Sequence, residues 1–522
     1  MEQRSSSMST APKGSLLISL AFLEVNSPNF MSVDPMKTGG HSYSLLNFRN
    51  SYHHCYSIIP KSTMKPGRAD LIAIAVLITI VFTISAGCTG PAQQSQDSNA
   101  ITEANESAAN SSSLIFADPE FAFELRRTLG ATYSGEADIG ECLATASRID
   151  EGDFESWYSE WKKTADAIRN AGDESLAAGH NVTAMEAYYR AATYYRTAEF
   201  FLHGNSTDPR IVETWEKSRE AFRDALALDD VPYEIVEIPY ENTTLPGYFY
   251  MVDDSGAPRP LLIIQTGFDG CQEELHPYAM EGIKRGYNVL TFEGPGQGEV
   301  IRVQHIPFRA DWENVIEPVV DYALNRSDVD KDRIALWGIS LGGYLAPRGA
   351  AYDPRITALI ADGGTYDVGE NLLRNLQEGG GEAANMTEED LKEWLQTDPV
   401  EFNEAILEAM DNDTGTRWLN ENGMFVFNVS TPAQFWAKWM DFSLAGIAEN
   451  ISCPTLVTAG AADHFDPDAE QAEELYDHLT CERELIIFSD EYGAGSHCQL
   501  GAFGQSFASK FDWLDEKMGM KG

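Results

Sequence analysis

Basic residues are scarce in this chain. Its 522 residues include 37 Lys and Arg against 81 Asp and Glu, a formal net charge of −44. A surface of that sign repels nucleic acid and anionic membranes, which excludes polyanion binding as a function class. Cysteine is sparse too: there are seven, and no two form Cys-x-x-Cys, which removes the common zinc-module patterns. His53-His54-Cys55 starts a metal cluster that no second group completes, so no metal is expected. Gly294-Pro-Gly296-Gln-Gly298 follows a strand pattern but lacks the Gly-x-Gly-x-x-Gly spacing, and no long helix opens directly after it. No dinucleotide or other cofactor is expected. Asp328-Val-Asp330-Lys-Asp332 begins like a calcium loop without the later glycine and glutamate, and reads as a polar turn. No period near 34 residues repeats the helical pattern of Ala184–Phe201, which argues against a solenoid.

Apolar residues are plentiful at 43%, enough for a large core, and the length suits two or three domains or one α/β domain with insertions. Met64-Lys-Pro-Gly-Arg68 is a positively charged start, Leu71–Ala86 is an unbroken apolar run, and Ser85-Ala-Gly-Cys88 closes it with small residues. This is the layout of a secretory signal; the run stops short of the ~20 residues that a spanning helix requires. Its end resembles a lipoprotein processing box, departing from that pattern at Ser85, where an aliphatic residue is usual. A signal beginning at Met64 predicts that translation starts there and that residues 1–63 are a non-native extension. Residues 89–118 are mostly polar and read as a flexible linker. Asn-x-Ser/Thr sequons recur at Asn105, Asn110, Asn181, Asn205, Asn242, Asn325, Asn385, Asn412, Asn428 and Asn450. Signal and sequons together predict an exported glycoprotein, tethered outside the cell and touching the membrane only through an N-terminal lipid or signal anchor.

Residues 119–228 have helical spacing, with Trp157, Trp161 and Ala165 on one face, and read as a helical cap in which the aromatic stripes serve packing. Strands then alternate with helices in two stretches, 229–367 and 448–522. That alternation predicts an α/β fold: a mainly parallel, doubly wound sheet. Between the stretches, residues 368–447 carry amphipathic helical patterns around Leu372, Trp394, Trp436 and Trp439, and read as an inserted helical lid.

The chemistry centres on Arg333-Ile-Ala-Leu-Trp-Gly-Ile-Ser-Leu-Gly-Gly-Tyr-Leu-Ala346. An apolar strand breaks at Gly338-Ile-Ser340-Leu-Gly342 and continues as a helix, the context in which Gly-x-Ser-x-Gly forms a nucleophile elbow. Gly338 and Gly342 relieve crowding in the turn, and Ser340 stands at its tip. A serine hydroxyl needs a base, and the base needs a carboxylate to hold its tautomer. In the order Ser, acid, His, the strand ending at Gly460 is followed by Asp463 and Asp466, and the last strand by His497, which is expected to open the final helix. Asp463 is the favoured acid and Asp466 the alternative; the adjacent His464 reads as structural. The oxyanion donors are expected at the Leu341 N–H and, from Gln265-Thr-Gly-Phe268-Asp-Gly270, the Phe268 N–H.

Ala137-Asp-Ile-Gly-Glu141, Asp153-Phe-Glu-Ser-Trp-Tyr158, Ala198-Glu-Phe-Phe201, Phe292-Glu-Gly-Pro-Gly-Gln-Gly298, Arg309-Ala-Asp-Trp312 and Ser496-His-Cys-Gln499 give the chain its resemblance to a known group. It is similar, from about Phe121 onward, to the α/β-hydrolases related to dihydroxy-pseudo-oxynicotine hydrolase and the fungal polyketide-shortening hydrolases. The resemblance implies a triad of Ser340, Asp463 and His497 under a helical lid, and cleavage of an ester or of a carbon–carbon bond beside a ketone. A small-molecule substrate is expected, and a homo-oligomer remains open. Two rivals stand beside this reading: an exopeptidase of the prolyl-oligopeptidase type, and a surface protein that uses the fold only for binding.

Overall fold

The computed structural model describes residues 115–378 and 385–520. His53-His54-Cys55, the Met64–Cys88 segment read as a signal and most of the 89–118 segment read as a linker lie outside the described residues. The described chain opens with helices α1 (Pro119–Gly130), α2 (Ile139–Ala146), α3 (Phe154–Ala177), α4 (Asn181–Glu199) and α5 (Pro209–Leu226). Their starts are written locally: Asp118, Asp138, Asp153 and Asp208 each accept a first-turn N–H at α1, α2, α3 and α5. Trp157, Trp161 and Ala165 share the buried face of α3, and Trp161 packs on Tyr194 of α4 with ring centroids 5.5 Å apart. Burying side chains of this size contributes roughly 1.5–3 kcal/mol each, so the aromatic stripes are core.

Strand β1 (Tyr233–Tyr240) and β2 (Thr243–Tyr250) form an antiparallel hairpin. Thr243 and Thr244 pair with Tyr240 and Pro239, which leaves only Glu241 and Asn242 to reverse the chain, with Glu241 at φ 45°. There follow β3 (Arg259–Gln265), α6 (His276–Lys284), β4 (Asn288–Phe292), α7 (Gly298–Arg302), α8 (Glu313–Leu324), β5 (Val329–Ile339), α9 (Gly342–Tyr352) and β6 (Ala358–Asp362). Helices α10 (Val368–Glu378), α11 (Glu388–Gln396), α12 (Val400–Met410), α13 (Thr414–Val426) and α14 (Pro432–Trp439) intervene before β7 (Thr455–Gly460). Then α15 (Glu470–His478), β8 (Arg483–Phe488) and α16 (Phe503–Lys517) complete the described chain.

The eight strands lie in the order β1-β2-β4-β3-β5-β6-β7-β8, and every neighbouring pair from β4 onward is parallel. Strands β4, β6 and β7 are buried at every residue, as a sheet covered on both faces requires. The alternation therefore builds the mainly parallel, doubly wound sheet expected of it.

Two expectations are corrected. Asp330-Lys-Asp332 is not a turn: Val329 pairs with Arg259, so β5 begins there and carries the polar residues in its exposed first half. His497 does not open the last helix. Cys498 and Gln499 lie at φ 49° and 54°, so helical geometry is broken, and α16 starts only at Phe503.

Candidate active site

Residues at the carboxyl ends of β5, β7 and β8 meet above the sheet. Ser340 follows β5 directly and sits at φ 63°, a left-handed conformation that costs a side-chain-bearing residue about 1–3 kcal/mol. It is held there from both sides: its N–H donates to the Asp362 carbonyl at 2.8 Å, and its carbonyl accepts from Gly343 N–H at 2.6 Å. A Cβ at position 338 would lie 1.9 Å from the Gly342 carbonyl oxygen, so only glycine fits. At position 342 the nearest contact would be 3.0 Å, to the Thr266 carbonyl oxygen, so that glycine is needed less strictly.

The structure brings Ser340, His497 and Asp463 into one hydrogen-bonded chain. His497 Nε2 lies 2.8 Å from Ser340 Oγ, and Nδ1 lies 2.6 Å from Asp463 Oδ2. The second Asp463 oxygen accepts the Phe465 N–H at 2.9 Å. With Nδ1–H given to the carboxylate, Nε2 is free to accept the serine proton. Burial alone would raise the Asp463 carboxyl, but the His497 charge and these hydrogen bonds hold it below the usual range. Burial works against charge on His497 as well, and the facing Asp463 carboxylate outweighs it, so the imidazole is raised well above an ordinary histidine.

Asp466 has a different task. Its two oxygens accept the N–H groups of Gln471 and Ala472 at 2.9 and 3.2 Å, which ties it to the start of α15. Burial pushes it up to about 6. His464 is driven the other way, to about 4, by burial, and packs against Phe123 and Phe465.

The 266–270 loop stands directly against the elbow. A Cβ on Gly267 would meet Leu341 N at 2.5 Å and Ile339 O at 2.8 Å. Neither the Phe268 nor the Leu341 N–H donates a hydrogen bond among the described residues. Asp269 on this loop is bound by Arg127 of α1 at 3.1 Å, and Arg127 also grips Glu274 through two bonds of 3.0 Å. Burial would raise Asp269, but the Arg127 and Arg196 charges keep it low. The amino-terminal helices thus form part of the site, a role that their packing pattern in the sequence does not announce.

Above Ser340 lies a cavity of about 400 Å³. Leu372, Trp418 and Trp439 line it from the 368–447 helices, Phe465 from the β7 side, and Phe123 and Arg127 from α1. Among the described residues, Cys271, Glu273 and Glu293 are the group close enough to share a cation. Both Glu293 oxygens already accept backbone N–H groups, from Gln272 and Glu299, and Glu273 accepts the Tyr248 hydroxyl. Burial and the neighbouring Glu273 push Glu293 up to about 8. The Cys271 and Cys498 thiols, which flank the site, are likewise pushed up by burial, and Cys453 and Cys481 stand as free thiols.

Comparison with known proteins agrees with this architecture. Residues 261–498 match the model of the alpha/beta hydrolase family, and residues 151–370 that of the FrsA-like esterases. The chain is 36% identical over 429 residues to 20-hydroxy-prefusarin hydrolase FUS2 of Gibberella moniliformis, covering 78% of this chain and 98% of that protein. It is 36% identical over 425 residues to hydrolase LUC6 of a Fusarium species, with the same coverages of 78% and 98%. Among solved structures, 2,6-dihydroxy-pseudo-oxynicotine hydrolase superposes with a TM-score of 0.56 at 20% identity, over 75% of this chain and 95% of that one. At that identity the likeness is one of fold.

Proposed function

This chain belongs to the α/β-hydrolase family, and on that premise we propose that it is a serine hydrolase cleaving an ester, or a carbon–carbon bond beside a ketone, in a small organic substrate. The observation that carries the reading is the unbroken chain from Ser340 Oγ through His497 to Asp463, at 2.8 and 2.6 Å, built on a serine at φ 63°. His497 Nε2 takes the Ser340 proton as Oγ attacks the substrate carbonyl carbon. Asp463 steadies the resulting imidazolium. The carbonyl oxygen, now an anion, is received by the N–H groups of Phe268 and Leu341, each worth ~3 kcal/mol of transition-state stabilisation. Collapse of the intermediate breaks the scissile bond, and His497 returns its proton to the leaving oxygen or carbon. Water, deprotonated by the same imidazole, then releases the acyl group and restores Ser340.

The apolar walls contributed by Leu372, Trp418, Trp439 and Phe465 favour an uncharged substrate body beside the reacting carbonyl. A fluorophosphonate probe should modify Ser340, and Ser340→Ala should lose labelling and about six orders of magnitude in turnover while melting normally. Labelling that persists in Ser340→Ala would end this reading. A panel of aryl esters and β-ketones separates the two bond classes.

Export belongs to the same proposal. Its support is the Met64–Cys88 pattern. It is joined by the exposure of every sequon asparagine among the described residues: Asn181, Asn205, Asn242, Asn325, Asn385, Asn412, Asn428 and Asn450.

A further inference from the structure

The loop carrying the Phe268 donor has little secondary structure of its own, and its carbonyls are held from outside. Gln297 follows β4, in the Gly294–Gly298 segment that resembles a dinucleotide loop without being one. The residue is 2% exposed. Its Nε2 donates to the Thr266 carbonyl and to the Gly267 carbonyl, both at 3.0 Å. Its Oε1 accepts the Gly294 N–H at 2.9 Å. Both amide hydrogens and the amide oxygen are therefore engaged, and the orientation of the group follows from its partners: two carbonyls need donors and one N–H needs an acceptor.

The consequence lies in the peptide plane. The Gly267 carbonyl and the Phe268 N–H belong to one planar trans unit and point in opposite directions. A bond that fixes the carbonyl toward Gln297 fixes the N–H away from it. The elbow stands beside Gly267, close enough that a Cβ there would touch Leu341 N and Ser340 Cβ. We infer that Gln297 is the positioning residue of the oxyanion site: through the Gly267–Phe268 peptide it aims the Phe268 N–H before any substrate arrives. Asn422 of α13 adds a longer contact of 3.4 Å to the Phe268 carbonyl, which restrains the following peptide, not this one. The Gly-Pro-Gly-Gln-Gly turn thus works as a bracket between β4 and the loop after β3.

This inference rests on the serine-hydrolase reading above, and the test separates the two. The rate of fluorophosphonate inactivation is measured as a function of probe concentration, which yields a maximal rate, kinact, and a half-saturating concentration, KI. In this reaction Ser340 Oγ bonds to phosphorus, fluoride leaves, and His497 takes the serine proton, with the phosphonyl oxygen in the oxyanion site. Gln297→Met keeps the side-chain volume and removes both donors. It should lower kinact about a hundredfold with KI little changed, and lower the melting temperature, because the Gly294 N–H and two carbonyls lose their buried partner. Gln297→Asn keeps a polar amide that is too short to hold both carbonyls. It should show the same split and covers the case in which the methionine variant does not fold. Loss of folding alone would lower the labelled fraction without separating kinact from KI. If the parent is labelled at Ser340 and either folded variant keeps kinact within about threefold, the inference is overturned while the hydrolase reading stands. If Ser340 in the parent is not labelled, the underlying reading fails first.

Discussion

Gly267→Ala puts the oxyanion geometry to its sharpest test. The added Cβ would lie 2.5 Å from Leu341 N, 2.8 Å from Ile339 O and 2.9 Å from Ser340 Cβ. Two of these neighbours are backbone atoms of the elbow, which is itself held by the Ser340 N–H bond to Asp362, so it cannot yield easily. Restoring ordinary contact requires the loop to retreat by roughly 1 Å. A displacement of that size at a reacting centre costs about a hundredfold in rate. Complete loss of one donor, ~3 kcal/mol, sets the upper limit near two to three orders of magnitude. The assay is steady-state hydrolysis of an aryl ester, with thermal melting run alongside to show that the variant is folded. The expected result is kcat lower by about a hundredfold with KM almost unchanged, because the donor acts on the anion and not on the ground-state carbonyl. A folded variant with kcat within about threefold of the parent would refute the placement of the Phe268 N–H.

The pH dependence follows from His497. The imidazole must be unprotonated to accept the serine proton, and the Asp463 carboxylate raises it, so the acid limb of kcat/KM should lie above the ordinary histidine range. Asp463→Asn should move that limb downward and cut kcat by about four orders of magnitude, as loss of a tautomer-fixing carboxylate does elsewhere. Asp466→Asn should leave the limb in place, since its oxygens face the start of α15. An acid limb that ignores Asp463→Asn and follows Asp466→Asn would reverse the assignment. For export, mass spectrometry of the native protein should find Cys88 at or near the amino terminus and glycans on sequon asparagines; peptides from residues 1–63 would contradict it.

Local chemistry made much of this protein legible before any coordinates. Trp157, Trp161 and Ala165 announce a helix with one buried face because side chains four positions apart lie above one another on it. Gly338 and Gly342 mark a strand-to-helix turn for equally local steric reasons, and the buried runs of β3, β5 and β6 imply a covered parallel sheet. Elements that depend on a partner strand are less legible: β5 begins five residues before its apolar core, at Val329 and not Ile334, because Arg259 pairs with it. Chain order favours Asp463 but leaves Asp466, three positions away, as an alternative. The fold separates them by turning Asp463 toward His497 and Asp466 toward α15. The contact of Ser340 with His497 spans 157 positions, and the grip of Gln297 on the loop after β3 spans 30 and 31. Torsional preferences and periodicity act over a turn or a strand, so they specify which elements form. Which side chains then share a hydrogen bond depends on the strand order and on how the helices close over the sheet, and only the tertiary structure supplies that.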